Sequence, residues 1–240
     1  MKNLKKYFPS IFFLMATLSI SAQETGENKL GSWFMYFGTN KIAEKWSVHT
    51  EIQQRYFEQS KNFNQLLLRT GLNYHLGANA IATLGYAYIT TDGTFEDIET
   101  EIDAREHRIF GQFILKDRVG KLDFEHRYRL EQRFLDFGTR NSTEYRARYR
   151  IQITLPLSKV LFLNFYDEIF LNLQDNPFGQ NRLYGALGIK INTALSIQAG
   201  YLKNHFAKAH FDRLQLGVFY NPDLRGIFQK KANGTPTAKL

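Results

Sequence analysis

Arginine and glutamate recur at every second position in two long segments of the chain. The odd-numbered positions of 122–134 and the even-numbered positions of 144–155 are all polar, and most are charged. Residues at i and i+2 of a β-strand share one face, so each segment would present a charged face. With residues that neighbouring segments would bring beside them, they form one set of twelve: Glu106, Arg108, Glu125, Arg127, Arg129, Glu131, Arg133, Glu144, Arg146, Arg148, Arg150 and Glu168.

This set could support two kinds of chemistry. Guanidinium and carboxylate groups form bidentate ion pairs, so the set could fill the interior of a narrow β-barrel. Rings of cationic side chains instead select anions in a pore, and the inward-facing candidates carry an excess of cations over carboxylates. The further candidates are Arg55, Arg69, Arg182, Lys190, Glu51 and Asp123. A structural interior and a narrow channel that prefers a small anionic solute therefore both stay open.

Two histidines, His107 and His126, are candidates for catalysis on the outer wall of such a barrel. A serine nucleophile needs a base within hydrogen-bonding reach, and the expected strand registers place no serine beside either histidine. The chain has no nucleotide-binding loop, no H-E-x-x-H, no G-x-S-x-G and no cysteine. We assign no catalytic residue, metal site or cofactor, and a barrel-embedded lipid-modifying hydrolase stays an alternative.

The elements that would position these side chains are β-strands, because apolar and polar residues alternate with a period of two. We expect strands near 31–38, 46–53, 65–74, 80–91, 105–116, 122–134, 144–155, 160–173, 182–191, 195–204 and 212–221. Many are longer than soluble strands, and a tilted transmembrane strand needs about 9–11 residues. The sequence predicts an all-β fold, an antiparallel transmembrane β-barrel of about 10–12 strands with a polar, Arg/Glu-lined interior. A soluble periplasmic β-barrel binding protein is the alternative.

The first expected strand, 31–38, conflicts with the usual strand number. Short connections near 117–120, 156–159 and 192–194 alternate with longer ones, and outer-membrane barrels place short turns in the periplasm. This alternation makes 31–38 run the wrong way for a chain that starts in the periplasm. Bacterial single-chain barrels have even strand numbers, so we expect either ten wall strands, without 31–38, or twelve.

Hairpin geometry predicts which inward charges face each other, since directly opposed side chains interact across a sheet. The expected opposed pairs are Arg108 with Arg129, Glu106 with Glu131, Arg133 with Glu144, Glu131 with Arg146, and Arg146 with Glu168. Aromatic residues near the strand ends are expected to face outward and to form interfacial girdles, and Trp33 is placed among them.

The ends of the chain differ in composition from the expected barrel. A basic start, an apolar stretch over 11–20 and a small residue at Ala22 are typical of a signal peptide, so we expect residues 1–22 to be cleaved. Without the three lysines of that segment the net charge falls from +8 to +5, which makes nucleic acid a poor partner. We expect a barrel over 23–221 in the outer membrane of a Gram-negative bacterium, in contact with outer-membrane lipid. The polar tail 222–240 is expected to be disordered, and the oligomeric state is not predicted.

Several stretches together resemble one known family. They are Glu106-His107-Arg108, residues 127–133, residues 145–150, and Gln180-Asn181-Arg182-Leu183, with Gly85-Tyr86-Ala87-Tyr88 and Gly200-Tyr201-Leu202. In combination they resemble an uncharacterised Bacteroidota outer-membrane family, catalogued as domain of unknown function 2490. The resemblance covers nearly the whole chain after residue 22 and implies a membrane barrel. It carries no established activity or catalytic residues, so it bears on fold and location and not on mechanism.

Overall fold

The computed structural model describes residues 29–95, 103–174 and 176–227, and in this part of the chain the fold is all β. The strands are β1 (Gly31–Lys41), β2 (Trp46–Tyr56), β3 (Phe63–His75), β4 (Ala80–Thr91), β5 (Ala104–Val119), β6 (Leu122–Asp136), β7 (Asn141–Pro156), β8 (Leu161–Asn172), β9 (Phe178–Lys190), β10 (Leu195–His205) and β11 (His210–Tyr220). None of the described segments forms a helix long and apolar enough to cross a membrane. The expected signal peptide and residues 228–240 of the expected tail lie outside the described residues.

The strands form one closed barrel in chain order, which confirms the expected all-β barrel. Each strand is antiparallel to its neighbours except at the seam, where Gly31–Gly38 of β1 pairs in parallel with Arg213–Tyr220 of β11. The described residues form eleven strands, so the expectation of ten or twelve is wrong. Residues 31–38 belong to a wall strand, and the barrel closes without a twelfth. A parallel ladder satisfies the two edge strands as an antiparallel one does, so an odd number of strands can close.

The odd strand number puts the two ends of the described chain at opposite ends of the barrel. We call the end with the connections 42–45, 76–79, 120–121, 157–160 and 191–194 the short-turn end. The other end, with 57–62, 92–103, 137–140, 173–177 and 206–209, is the long-loop end. The chain enters β1 at the long-loop end and leaves β11 at the short-turn end.

Residues 221–227 fold back on the end of β1. The amide of Lys41 donates to Pro222 at 3.0 Å, and the amide of Leu224 donates to the Lys41 carbonyl at 2.8 Å, so the seam continues past β11. The Arg225 guanidinium donates to Asp223 and lowers the pKa of that carboxyl group to about 2. The first residues of the expected tail therefore extend the closure of the barrel.

The β5–β6 hairpin is tighter than expected. Its loop is the two-residue turn Gly120-Lys121, with Gly120 at φ +60°, so β5 continues through most of the connection expected at 117–120, while β6 begins at Leu122 as expected. The register therefore differs by four from the expected one. Arg108 lies opposite Arg133 and not opposite Arg129, and the expected opposition of two glutamates does not occur.

The next two hairpins differ in how well their registers follow from sequence. Between β6 and β7, Arg133 lies opposite Glu144 and Arg146 opposite Glu131, as expected. Between β7 and β8, Glu168 lies opposite Arg150 and not opposite Arg146. The β7–β8 turn again lies later in the chain than we expected, because β7 runs on to Pro156.

Trp33 faces the interior, so its expected place in an outer aromatic girdle is wrong. It is only 5% exposed and packs in an apolar cluster with Met35, Tyr184, Ala186 and Leu202. In β1 the residues of both faces are apolar or aromatic over 33–37, so a period of two marks no polar face. The interior of the barrel therefore contains an apolar cluster beside its polar and charged side chains.

One glycine makes room for a ring that the interior needs. A Cβ atom on Gly85 would lie 2.4 Å from Phe110 Cζ and 2.5 Å from the Thr70 carbonyl oxygen. Gly85→Ala should therefore lower the free energy of unfolding by about 1–3 kcal/mol, because a packed core resists added volume. Urea-induced unfolding in detergent micelles would measure the change.

The matched control is Gly111→Ala on the neighbouring strand. A Cβ atom there would meet nothing within 4 Å, so we expect a change within about 0.5 kcal/mol. Equal losses of stability in the two variants would show that contact with Phe110 does not set the cost.

Candidate functional site

The barrel encloses a cavity of about 1170 Å³ whose wall is strongly cationic. Among the described residues, twelve arginines line this cavity and only five glutamates do. All twelve residues of the set expected from sequence lie on strands β5 to β8, where alternation turns them toward the interior. The candidate site is therefore the interior itself.

Glu131 is the centre of the charged network. Its carboxylate accepts from Arg146 at 2.6 Å and from Arg148 at 2.8 Å, and Arg108 and Arg129 lie 3.6 and 3.7 Å away. The side chain has no exposed surface. Four guanidinium groups thus surround one buried carboxylate, an arrangement in which the charge-assisted hydrogen bonds are strong.

Two further carboxylates extend the network over neighbouring strands. Glu168 accepts from both Arg148 and Arg127 at 2.7 Å. Because Arg148 also contacts Glu131, this one guanidinium bridges two carboxylates. On the other side, Glu106 accepts from Arg108 at 2.6 Å. The result is a continuous ionic lattice across β5, β6, β7 and β8.

Toward both ends of the barrel the same lattice becomes wetter. At the long-loop end Arg133 donates to Glu106 and, at 2.7 Å, to Glu144, whose side chain is 42% exposed. At the short-turn end Arg150 donates to Glu125 at 2.6 Å, and the Glu125 side chain is 22% exposed. Water therefore reaches the outer pairs more readily than the central carboxylate.

A separate ion pair lies on β2 and β3. Arg69 Nη1 is 2.6 and 2.7 Å from the two Glu51 oxygens, and both side chains are almost fully buried. Gln53 donates to Glu51 and accepts from Arg55 at 2.5 Å. The alternation of polar and apolar residues indicates that Glu51 and Arg69 face inward, but it does not show that they pair. The β2–β3 register places the two residues directly opposite each other, and a prediction of that register could have identified the ion pair.

Aromatic rings connect the charged groups around the wall. The Phe110 ring lies 5.5 Å from the Arg69 guanidinium and 4.9 Å from that of Arg129. The Phe170 ring lies 4.1 Å from Arg148 and 4.6 Å from Arg182. Phe170 also lies 5.3 Å from the Arg146 guanidinium. The two rings therefore support two and three cations through cation–π contacts, which gain strength where water is excluded.

Trp33 completes this circuit. Its ring lies 4.0 Å from the Arg55 guanidinium and 4.9 Å from that of Arg182, which joins β9 to β1 past the two strands between them. We call the resulting closed loop of contacts the belt. Its members, each touching the next, are Trp33, Arg55, Gln53, Glu51, Arg69, Phe110, Arg129, Glu131, Arg148, Phe170 and Arg182.

The two histidines considered for catalysis lie on the outer face. His107 Nδ1 is 2.5 Å from the Tyr86 hydroxyl and His126 Nδ1 is 2.8 Å from the Tyr149 hydroxyl. Among the described residues, neither histidine contacts a serine or a carboxylate. The geometry therefore assembles no nucleophile and base at either position.

A serine–histidine contact that the sequence did not suggest lies inside the barrel. Ser47 Oγ is 2.8 Å from His75 Nε2, and Asn73 donates to Ser47 at 3.0 Å. Ser47 has no exposed surface, so a substrate carbonyl cannot reach its oxygen in this arrangement. Nor does any group of three or more His, Cys, Asp or Glu within the described ranges suit a metal ion.

Comparisons with known proteins give a family and, among the solved structures that match, a porin. A family model described as "Protein of unknown function (DUF2490)" matches residues 30–215. The comparison with curated proteins gives no match. A solved structure titled "Structure of porin refined at 1.8 angstroms resolution" is similar at 14% identity, with a TM-score of 0.34. That likeness covers 74% of this chain and 58% of the porin chain, so it spans less than two thirds of the porin.

Proposed function

The chain belongs to the DUF2490 family of proteins of unknown function, and we propose that it is an outer-membrane β-barrel whose interior is closed by the belt. In this proposal the unmodified barrel does not conduct ions. Its arginine excess makes the two ends of the interior attractive to small anions. Three of the twelve predicted residues, Arg129, Glu131 and Arg148, belong to the belt, and the others extend the ionic lattice on either side of it.

The observation that carries the proposal is the closed loop of belt contacts. Arg129 and Glu131 are 2% and 3% exposed, in the middle of a barrel whose end pairs are much wetter. In a narrow barrel, large charged and aromatic side chains on the wall take up much of the interior.

The outer face supports a place in a membrane. Large apolar side chains project from it with more than a third of their surface exposed, which is unusual for a protein in water. They include Ile52, Leu68, Leu72, Leu84, Ile109, Leu130, Phe165, Leu183, Leu187, Leu214 and Leu216. Trp46 and Tyr74 pack together at the short-turn end, 4.8 Å between ring centroids, where an interfacial girdle would lie. These features favour the membrane over the soluble alternative.

The proposal is tested by expression in a Gram-negative host, fractionation and planar-bilayer recording. We expect the protein in the outer membrane, and we expect the purified barrel to insert without discrete current steps. An open porin inserted under the same conditions is the positive control. Recovery in the soluble periplasmic fraction would overturn the membrane location. Regular current steps from the unmodified protein would overturn the proposal that the belt blocks the interior.

A further inference from the structure

Carboxylates are unevenly distributed around the interior. Among the described residues, the carboxylates on the inward face of the wall come from β2 and from β5 to β8: Glu51, Glu106, Asp123, Glu125, Glu131, Glu144 and Glu168. The inner faces of β9, β10, β11 and β1 carry none. They carry two arginines and several amides instead, and we call this part of the wall the amide sector. Its cavity-lining amide side chains are Gln180, Gln198, Asn204 and Gln215.

Two guanidinium groups at the edge of the amide sector lack a carboxylate. Arg55 donates to the amide oxygens of Gln53 and Gln65, at 2.5 and 2.6 Å, and Arg182 reaches only Gln180, at 3.5 Å. No carboxylate oxygen in the described part of the chain comes within 4.0 Å of either one. Both cations pack on the Trp33 ring, so they lie close together and repel each other.

An unused hydrogen-bond donor lies in the same place. Arg182 Nε is buried and has no hydrogen-bond partner among the described residues. Arg55 is 9% exposed, and both arginines line the cavity. Glu51 and Glu168, the carboxylates nearest to them along the wall, pair with Arg69 and with Arg127 and Arg148. A buried cation without a carboxylate in direct contact is costly. The cost falls when an anion binds, so this position favours a ligand with negative charge.

We propose that Arg55 and Arg182, held on Trp33 and flanked by the amide sector, form a binding site for a small oxyanion. Guanidinium groups match the planar or tetrahedral oxygens of carboxylate, phosphate and sulfate, and amide groups supply neutral hydrogen bonds around them. The site lies near the long-loop end, since Arg55 is the penultimate residue of β2 and Trp33 the third of β1. The inference deepens the proposed function and rests on the barrel, but it does not need the belt to be closed.

The chain offers its own reporter for this site. It has two tryptophans, and Trp46 lies on the outer face, so Trp46→Phe leaves Trp33 as the single tryptophan. Inorganic phosphate, sulfate and acetate are titrated into this variant of the full protein in detergent, at constant ionic strength with chloride as the exchanged ion. We expect a saturable change in Trp33 fluorescence and a matching rise in Tm, since a ligand that binds only the folded state stabilises it. The arm that saturates identifies the oxyanion class.

Variants then assign the binding to the two arginines. On the Trp46→Phe background, Arg55→Gln and Arg182→Gln should each weaken binding by about tenfold or more, because each removes hydrogen bonds to a charged ligand. Arg118→Gln removes one positive charge at the exposed short-turn end and should leave the affinity unchanged. Heat-modifiable migration on gels checks that each variant is folded. If a glutamine variant does not fold, the corresponding lysine variant keeps the charge, loses the planar fork and should show weaker binding.

The outcomes separate this inference from the proposed function. A folded, silent barrel whose Trp33 fluorescence responds to none of the three anions would overturn the oxyanion site and leave the closed barrel in place. The same holds for binding that Arg55→Gln and Arg182→Gln leave unchanged. Conduction by the unmodified protein, together with saturable binding that needs both arginines, would overturn the closure and support the site.

Discussion

Glu131→Gln should lower the free energy of unfolding by about 3–5 kcal/mol, because it removes the one carboxylate that four arginines share. The Glu131 side chain is fully buried, and Arg146 and Arg148 donate to it at 2.6 and 2.8 Å. A neutral amide keeps the shape and leaves these guanidinium groups without their counter-charge. Urea-induced unfolding in detergent micelles or vesicles, followed by tryptophan fluorescence, would measure the loss.

The matched control removes a carboxylate from an exposed pair. Asp123 lies 2.5 Å from Arg118 at the short-turn end, where the two side chains are 39% and 70% exposed. Asp123→Asn should cost less than about 1 kcal/mol, since water screens such pairs. Adding Arg146→Gln to Glu131→Gln should restore part of the lost stability, because it removes one of the uncompensated cations. Equal losses in Glu131→Gln and Asp123→Asn would contradict a central role for Glu131.

The barrel and its charged interior follow from sequence because two strands have faces of opposite character. In β6 and β7 the alternating residues are charged on one side and apolar on the other, so the burial of each face is unambiguous. The same rule fails in β1, where Trp33 and Phe34 are both apolar and only the fold decides which one faces inward. Period two identifies strands more reliably than it identifies faces.

The pairs within the site are harder to predict than its composition. A hairpin register follows from the turn, and an error of two residues in the centre of the β5–β6 turn moves every opposed pair by four. Several decisive contacts are not between neighbouring strands at all. Arg127 on β6 reaches Glu168 on β8, and Arg182 on β9 reaches Trp33 on β1. These contacts depend on the curvature of the closed wall, and the pattern of residues along single strands carries no information about that curvature.

The amide sector shows what this curvature adds to the chemistry. From sequence, Arg55 and Arg182 are two more inward cations on strands far apart in the chain. Closure through the parallel β1–β11 seam brings both onto one indole ring. Glu168 lies opposite Arg182 in the β8–β9 register, but its carboxylate pairs with Arg127 and Arg148 instead. The site therefore depends on the eleventh wall strand, because the parallel pairing of β1 with β11 places Trp33 beside Arg182.

The paired substitution Glu51→Ala with Arg69→Ala should convert the silent barrel into a conducting one. It removes both partners of a buried ion pair, so neither partner is left buried without the other and the barrel should still fold. It also breaks the belt between Gln53 and Phe110, because Arg69 supplies the contact to that ring. The remaining wall keeps its arginine excess, so the new current should carry chloride in preference to potassium.

Planar-bilayer recording under a potassium chloride gradient would measure both the current steps and the sign of the reversal potential. Arg118→Ala with Asp123→Ala removes an exposed pair outside the belt and should stay as silent as the unmodified barrel. If the Glu51/Arg69 variant folds, inserts and stays silent, the belt is not what closes the interior. If its current prefers potassium, the arginine excess does not set the selectivity. Arg129→Glu, added to a conducting Glu51/Arg69 variant, tests where the ions pass. Arg129 contacts Phe110 on the side opposite to Arg69, so reversing its charge should change the ion selectivity only if the current passes the broken part of the belt.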